Sequence, residues 1–186
     1  MKRLCALLAA VLLCVFMIAS CNEKVPEKTT QDENESQGGE VETPSVEKET
    51  VVLNLYFPDN EALYLHLEER EVELYPDESR EAAVLDQLFY GPKNEELYPS
   101  LSGEDLVNSV YTDENGLCTV DFKQDFVTLN TGGTTRESFA IGSIVHSLCE
   151  LDGVERVKIN IDGNINAEFG HSTLESEFVP RSELVA

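Results

Sequence analysis

Basic residues are scarce in this chain of 186: Lys and Arg number 13 against 36 Asp and Glu, a formal net charge of −23. Nucleic-acid binding rests on neutralising phosphates with Lys and Arg, so that class of partner is excluded. The same sign disfavours direct docking on anionic lipid headgroups. Histidine is scarcer still, with three copies, and neither His66 nor His171 has a cysteine or second histidine at metal-ligand spacing. Catalytic signatures are missing too: there is no G-x-S-x-G elbow, no G-x-x-x-x-G-K-S/T phosphate loop and no H-E-x-x-H. No motif asks for a cofactor. The one long apolar run, Leu4 to Ile18, is about fifteen residues, short of the roughly 20 a membrane-spanning helix needs.

That run is informative in another way. Lys2 and Arg3 precede it as a basic n-region, and Ile18, Ala19 and Ser20 lead to Cys21. Residues 1–20 therefore read as a secretory signal peptide. Small residues immediately before a cysteine resemble the bacterial lipobox, in which the thiol is diacylglycerated and the cysteine becomes the new N-terminus. Two acyl chains on Cys21 anchor stably where one would not. The expectation is a protein tethered to the membrane and facing the extracytoplasmic side. Residues 21–49 are rich in Glu, Thr, Ser, Gln, Lys and Gly without periodicity, a composition that cannot offset its ordering entropy. They read as a disordered acidic linker, with a root-mean-square span of roughly 30 Å.

From residue 50 to 186 the pattern is that of one domain with its own core. Val51, Leu53, Leu55 and Phe57 alternate like a half-buried strand, and Pro58-Asp59-Asn60 is turn chemistry. Leu63, Leu65 and Leu67, then Val72 and Leu74, suggest a hairpin or two short strands turning around Glu68-Glu69-Arg70. A first helix is expected from about Ser79 to Tyr90, stopped by Gly91-Pro92. After an unassigned loop from Lys93 to Glu104, strands at Leu106–Tyr111 and Leu117–Phe122 flank the turn Asp113-Glu114-Asn115-Gly116. Thr134-x-x-Glu137 reads as a capping box opening a second helix, with Ile141, Ile144, Val145 and Leu148 on one face. Val157, Ile159 and Ile161 form a last strand ended by Asp162-Gly163. Strands and helices mix without regular βαβ alternation, which predicts an α+β domain: a mixed sheet with two main helices packed on one face.

The candidates for chemistry are few, and none convinces. His146 and Cys149 share a helix face, and a Cys/His pair can act as base and nucleophile. Cys149, however, sits near a helix C-terminus beside Glu150, where a thiolate is disfavoured, so packing is the reading. Asp162-Gly163-Asn164-Ile165-Asn166 resembles the start of a calcium loop, yet Ala167 and Thr173 stand where such a loop needs Gly and Glu. A tight turn accounts for the same residues. Cys118 and Cys149 can pair in an oxidising compartment or remain free as small buried hydrophobes; the free form is expected. Tyr64 and His66 look exposed and fit either an interface or a solvated strand face.

Taken together, several landmarks resemble the GerM-type sporulation and germination domain. They are Leu53 to Pro58, Leu88-Phe89-Tyr90-Gly91-Pro92, Val120 to Phe126, Ile144 to Leu148 leading into Val157 to Gly163, and the tail Ser172 to Arg181. The resemblance spans about Val51 to Arg181. It implies a non-enzymatic envelope module of Gram-positive lipoproteins, without catalytic residues, whose partners are envelope or sporulation-complex proteins. A membrane-tethered protein-binding or scaffolding domain is thus the expectation. A hydrolase of wall polymers and a receptor for a small ligand or cation are its rivals.

Overall fold

The computed structural model describes residues 47–186. The signal peptide, the lipobox Ile18-Ala19-Ser20-Cys21 and nearly all of the expected linker lie outside the described residues. The domain opens with a long hairpin, β1 (Glu49–Pro58) and β2 (Leu65–Leu74), antiparallel and in unbroken register from Glu49 opposite Leu74 to Pro58 opposite Leu65. Asp59 builds the turn between them: its carboxylate accepts the amides of Glu61, Leu63 and Tyr64 at 2.9–3.1 Å. The Leu63 amide chiefly holds that carboxyl below its ordinary range. The expected break at Glu68-Glu69-Arg70 is not there. Those residues lie in the middle of a single ten-residue strand. The apolar side chains change face half-way along it. Leu65 is buried on the outer face beneath Leu184 and Val185, whereas Val72 and Leu74 point into the main core. A strand that swaps its apolar face imitates two short ones.

Helix α1 (Arg80–Tyr90) is as expected: Ser79 Oγ accepts the Ala82 amide at 3.1 Å, and Gly91 closes the helix at φ 88° with its N–H on the Gln87 and Leu88 carbonyls. Strands β3 (Val107–Thr112) and β4 (Leu117–Phe122) flank the Asp113–Gly116 turn. A short helix α2 (Gln124–Asn130) follows, which the sequence pattern does not announce. Its last residue, Asn130, is fully buried and stitches the preceding loop in place. The amide of Asn130 donates to the Ser102 and Phe126 carbonyls, and its Oδ1 accepts the Ser102 N–H.

Helix α3 (Thr134–Leu148) begins one residue earlier than a Thr134 cap requires. Gly133 is the N-cap at φ 101°, no side chain caps it, and Glu137 reaches back to the Gly133 N–H at 3.2 Å. The capping box is therefore corrected to its carboxylate half, displaced by one residue. Strand β5 (Arg156–Ile161) runs parallel to β4 and completes a mixed sheet in the order β3-β4-β5. A small ladder of β6 (Glu168–Phe169) and β7 (Ser172–Thr173) and a 3₁₀ turn at Ser182–Leu184 end the chain. The α+β architecture is observed, its strands shared between a hairpin and the mixed sheet. Both main helices contact β1, and each also touches the three-stranded sheet, α1 at β3 and α3 at β5. Phe122 stacks on Phe126 at 4.0 Å between centroids, and Phe126 on Phe169 at 5.2 Å. Phe89 meets the first two edge-on. This aromatic stack draws α1, β4, α2 and β6 into one core.

Candidate functional site

Side chains able to react gather at one place, where the C-terminal half of α3 lies along the outer edge of β1. All but Cys149 are already engaged. Ser147 Oγ accepts the Tyr56 amide at 2.9 Å, and the Tyr56 hydroxyl donates to Glu150 at 2.9 Å. Burial, then Glu150, pushes the Tyr56 hydroxyl up to about 12. The His146 ring packs against the Tyr56 ring at 5.3 Å, tilted by 50°, and its Nε2 accepts the Arg181 amide at 3.1 Å. Burial is the main reason its pKa falls below the ordinary value. Cys149 makes no bond to His146, and desolvation and Glu150 push its thiol up to about 11. Cys118 is likewise free, buried and pushed up to about 11, chiefly by desolvation. A thiol held protonated beside an imidazole whose lone pair is occupied is not an activated nucleophile. These residues fasten α3 to β1.

The sequence reading missed two buried charges. Arg70 is 2% exposed. Its guanidinium donates to Gln87 Oε1 at 2.9 Å, to the Gln87 carbonyl at 3.3 Å and to the Gly91 carbonyl at 3.0 Å, and pairs closely with Glu68. Glu68 in turn accepts the amides of Lys93 and Asn94 at 3.0 Å. Burial opposes its ionisation, but Arg70 and those two amides outweigh it and hold the carboxyl below the ordinary range. The other charge is Glu137, 1% exposed, which accepts the His171 amide at 2.8 Å and lies 3.4 Å from the exposed His171 ring. The His171 amide is the main reason its carboxyl is lowered. A signal existed for both. Arg70 shares strand parity with Val72 and Leu74, and Glu137 lies one turn before Ile141 on the apolar face of α3.

Grooves indent the surface of the described residues. One, about 320 Å³, runs between α3 and the C-terminal tail and is lined by Ile141, Val145, His146, Phe178 and Arg181 among others. The second, about 510 Å³, lies between α1 and the segment 103–107, with Asp86, Phe89, Tyr90, Glu104 and Asp105 on its walls. Partial desolvation, aided by Glu78, raises the Asp86 carboxyl. Asp105 is held at 2.8 Å by Lys123. The Asp162-Gly163 turn, by contrast, is tied internally: Gly163 N–H donates to Asp121 at 2.7 Å, and Asn108 bridges Asp121 and Asp162. Tyr64 is exposed, and His66 is half-buried at 3.4 Å from Asp59, part of the hairpin turn.

The family model described as Germane, sporulation and spore germination, matches residues 54–166, from within β1 to the approach to β6. The chain belongs to the Germane family. Among solved structures it is similar to the tandem GerMN domains of the sporulation protein GerM from Bacillus subtilis, with a TM-score of 0.54 and 22% identity over 74% of this chain. It spans 46% of that tandem chain. The first GerMN domain alone gives a TM-score of 0.52 at 20% identity, over 73% of this chain and 97% of the other. At such identities the likeness is one of fold. A search of curated proteins gives no match. Several landmarks of the sequence resemblance acquire physical roles in this Germane domain. Leu88 to Pro92 carries the carbonyl that receives Arg70, and Ile144 to Leu148 carries the groups that grip Tyr56.

Proposed function

We propose that this Germane domain is a non-enzymatic protein-binding or scaffolding module, tethered outside the cytoplasmic membrane by lipid on Cys21, and serving spore formation and germination or envelope assembly. The family match over 54–166 carries the reading. It is supported by the engagement of the reactive side chains along α3 in contacts within the fold. The lipobox supports the anchor, and the absence among the described residues of a helix long and apolar enough to cross a membrane is compatible with it. Cross-linking of the tagged protein in intact cells, beside a Cys21→Ala control, tests it. A reproducible membrane-associated protein partner, lost in the control, supports the reading. An abundant, membrane-bound protein that captures no partner counts against it.

One observation favours a second reading, hydrolysis of wall material: Asp86 is a carboxylate of raised pKa on a groove wall, as a general acid would be. Among the described residues its side chain makes no hydrogen bond to a base or nucleophile. Wall fragments released by the wild type and not by Asp86→Asn would establish this activity.

A further inference from the structure

Among the described residues β2 pairs in a ladder with β1 alone. Pro58 has no N–H to give, so the Pro58–Leu65 pair cannot be a bonded pair of the ladder, and alternation then turns the N–H and C=O of Leu65, Leu67, Glu69, Glu71 and Glu73 away from β1. Two bonds on the β1 side confirm this parity: Tyr56 N–H donates outward to Ser147, and the Pro58 carbonyl accepts outward from Tyr98. At its first position the free edge is already in use. The tail lies parallel to it, Val185 beside Leu65, and Ala186 N–H donates to the Leu65 carbonyl at 3.1 Å. Beyond Leu65, no backbone hydrogen bond within the described residues reaches this edge.

Open edges are usually blunted by short strands, bulges, proline or charged side chains, lysine above all. Here the register is continuous over ten residues, and β2 holds no proline and no lysine. The edge instead carries three exposed glutamates at alternate positions, with exposed Leu67 beside them. Among the described residues, Glu73 alone of these has a cation at hand, Lys48 at 3.0 Å. A second copy pairing edge to edge would set glutamates against glutamates, which is destabilising.

We propose that the β2 edge from Leu67 to Glu73 is a strand-acceptor surface, taking an extended segment of a partner protein that carries Lys or Arg at alternate positions. This rests on the protein-binding reading above and names the surface and the partner's chemistry. Main-chain bonds supply affinity and the glutamate row supplies selectivity.

The test uses the mature lipidated chain, from Cys21 to Ala186, in detergent and a blocked octapeptide of alternating lysine and valine. Controls are the glutamate–valine peptide and the lysine peptide N-methylated at alternate residues. The lysine peptide should bind and slow amide exchange at Leu67, Glu69, Glu71 and Glu73 at least tenfold. Affinity should fall tenfold or more on N-methylation, in the Glu69→Lys/Glu71→Lys variant, and in Glu71→Pro. Glu71→Pro removes an outward N–H and spares the β1 ladder; unchanged exchange in α3 shows that it folds. Three results overturn the proposal: no binding, binding without protection of those amides, or equal binding by the N-methylated peptide. A dimer abolished by Glu71→Pro would also overturn it, by giving the edge to a second copy. The peptide assay judges the edge and cross-linking in cells judges the reading beneath it, so either can fail alone.

Discussion

Arg70 and Glu137 are buried to nearly the same degree, 2% and 1% exposed, yet the fold accommodates the two charges by different means. Each sits at the helix end whose dipole suits it, the cation against the C-terminal carbonyls of α1 and the anion in the first turn of α3. The cation has a second ion for company, Glu68, whereas the anion relies mainly on backbone N–H groups from Gly133 and His171. A buried ion paired with another ion leaves a stranded charge when its partner is removed. One held by amides depends instead on the shape of the turns that present them. Side-chain deletion should therefore hurt more at the first site, and backbone distortion at the second.

The largest effect is expected from Arg70→Met, which strands Glu68 and three acceptors. Breaking a buried pair from one side destabilises by about 3–5 kcal/mol, seen as a lower urea midpoint. Glu68→Gln added to it should restore part of the loss. If the double variant is no better than the single one, the pairing account is wrong. Next comes Gly170→Ala. A Cβ at Gly170, where φ is 60°, would lie 2.0 Å from Glu137 Oε1, whereas at Gly163, φ 75°, it meets nothing within 4 Å. Gly163→Ala should cost only its backbone strain, about 1–2 kcal/mol, and Gly170→Ala clearly more, with faster amide exchange at His171. Equal losses would dissolve the contrast between the two buried charges.

Acid sharpens the comparison. Glu68 and Glu137 both have folded pKa values below the ordinary 4.5. Their contribution is complete above that value and is lost as pH falls through the depressed values. The urea midpoint should drop as the pH falls below the ordinary carboxylate value and through the depressed ones, and Glu137→Gln should flatten that drop without removing it. The smallest effect belongs to the tail. The His146 pKa lies below its ordinary 6.5, so the unfolded chain takes the proton first and stability declines as pH falls below that point. The protection of the Arg181 amide, its exchange rate normalised to the intrinsic rate at each pH, should fall a few-fold between pH 7 and 5, and His146→Gln, which keeps an acceptor, should hold that protection constant.

What the sequence made legible was local. Ser79, Gly91 and Pro92 delimit α1 because caps act within a few residues, and Asp113 to Gly116 specify their own turn. Helix α2 escaped notice because it has seven residues and its anchor, Asn130, finds its partner in Ser102, 28 residues away. β2 was obscured by a non-local cause as well: Leu65 is apolar for the sake of a tail 120 residues later. The same holds for function. Family landmarks were readable in order, but the parity that opens the β2 edge depends on which neighbour β2 has and which it lacks.

The hairpin has a mechanical consequence. At one end Lys48 meets Glu73, and at the other Ala186 bonds Leu65. Ten residues at a strand rise of about 3.3 Å separate these points by roughly 30 Å. Tension applied to the chain before Glu49, against anything gripping the C-terminal tail, is thus directed along β1 and β2. Their ladder is loaded in shear, so its bonds share the force instead of peeling one by one. A domain pulled between these two points would resist as a bolt does, and open more readily when pulled across the strands.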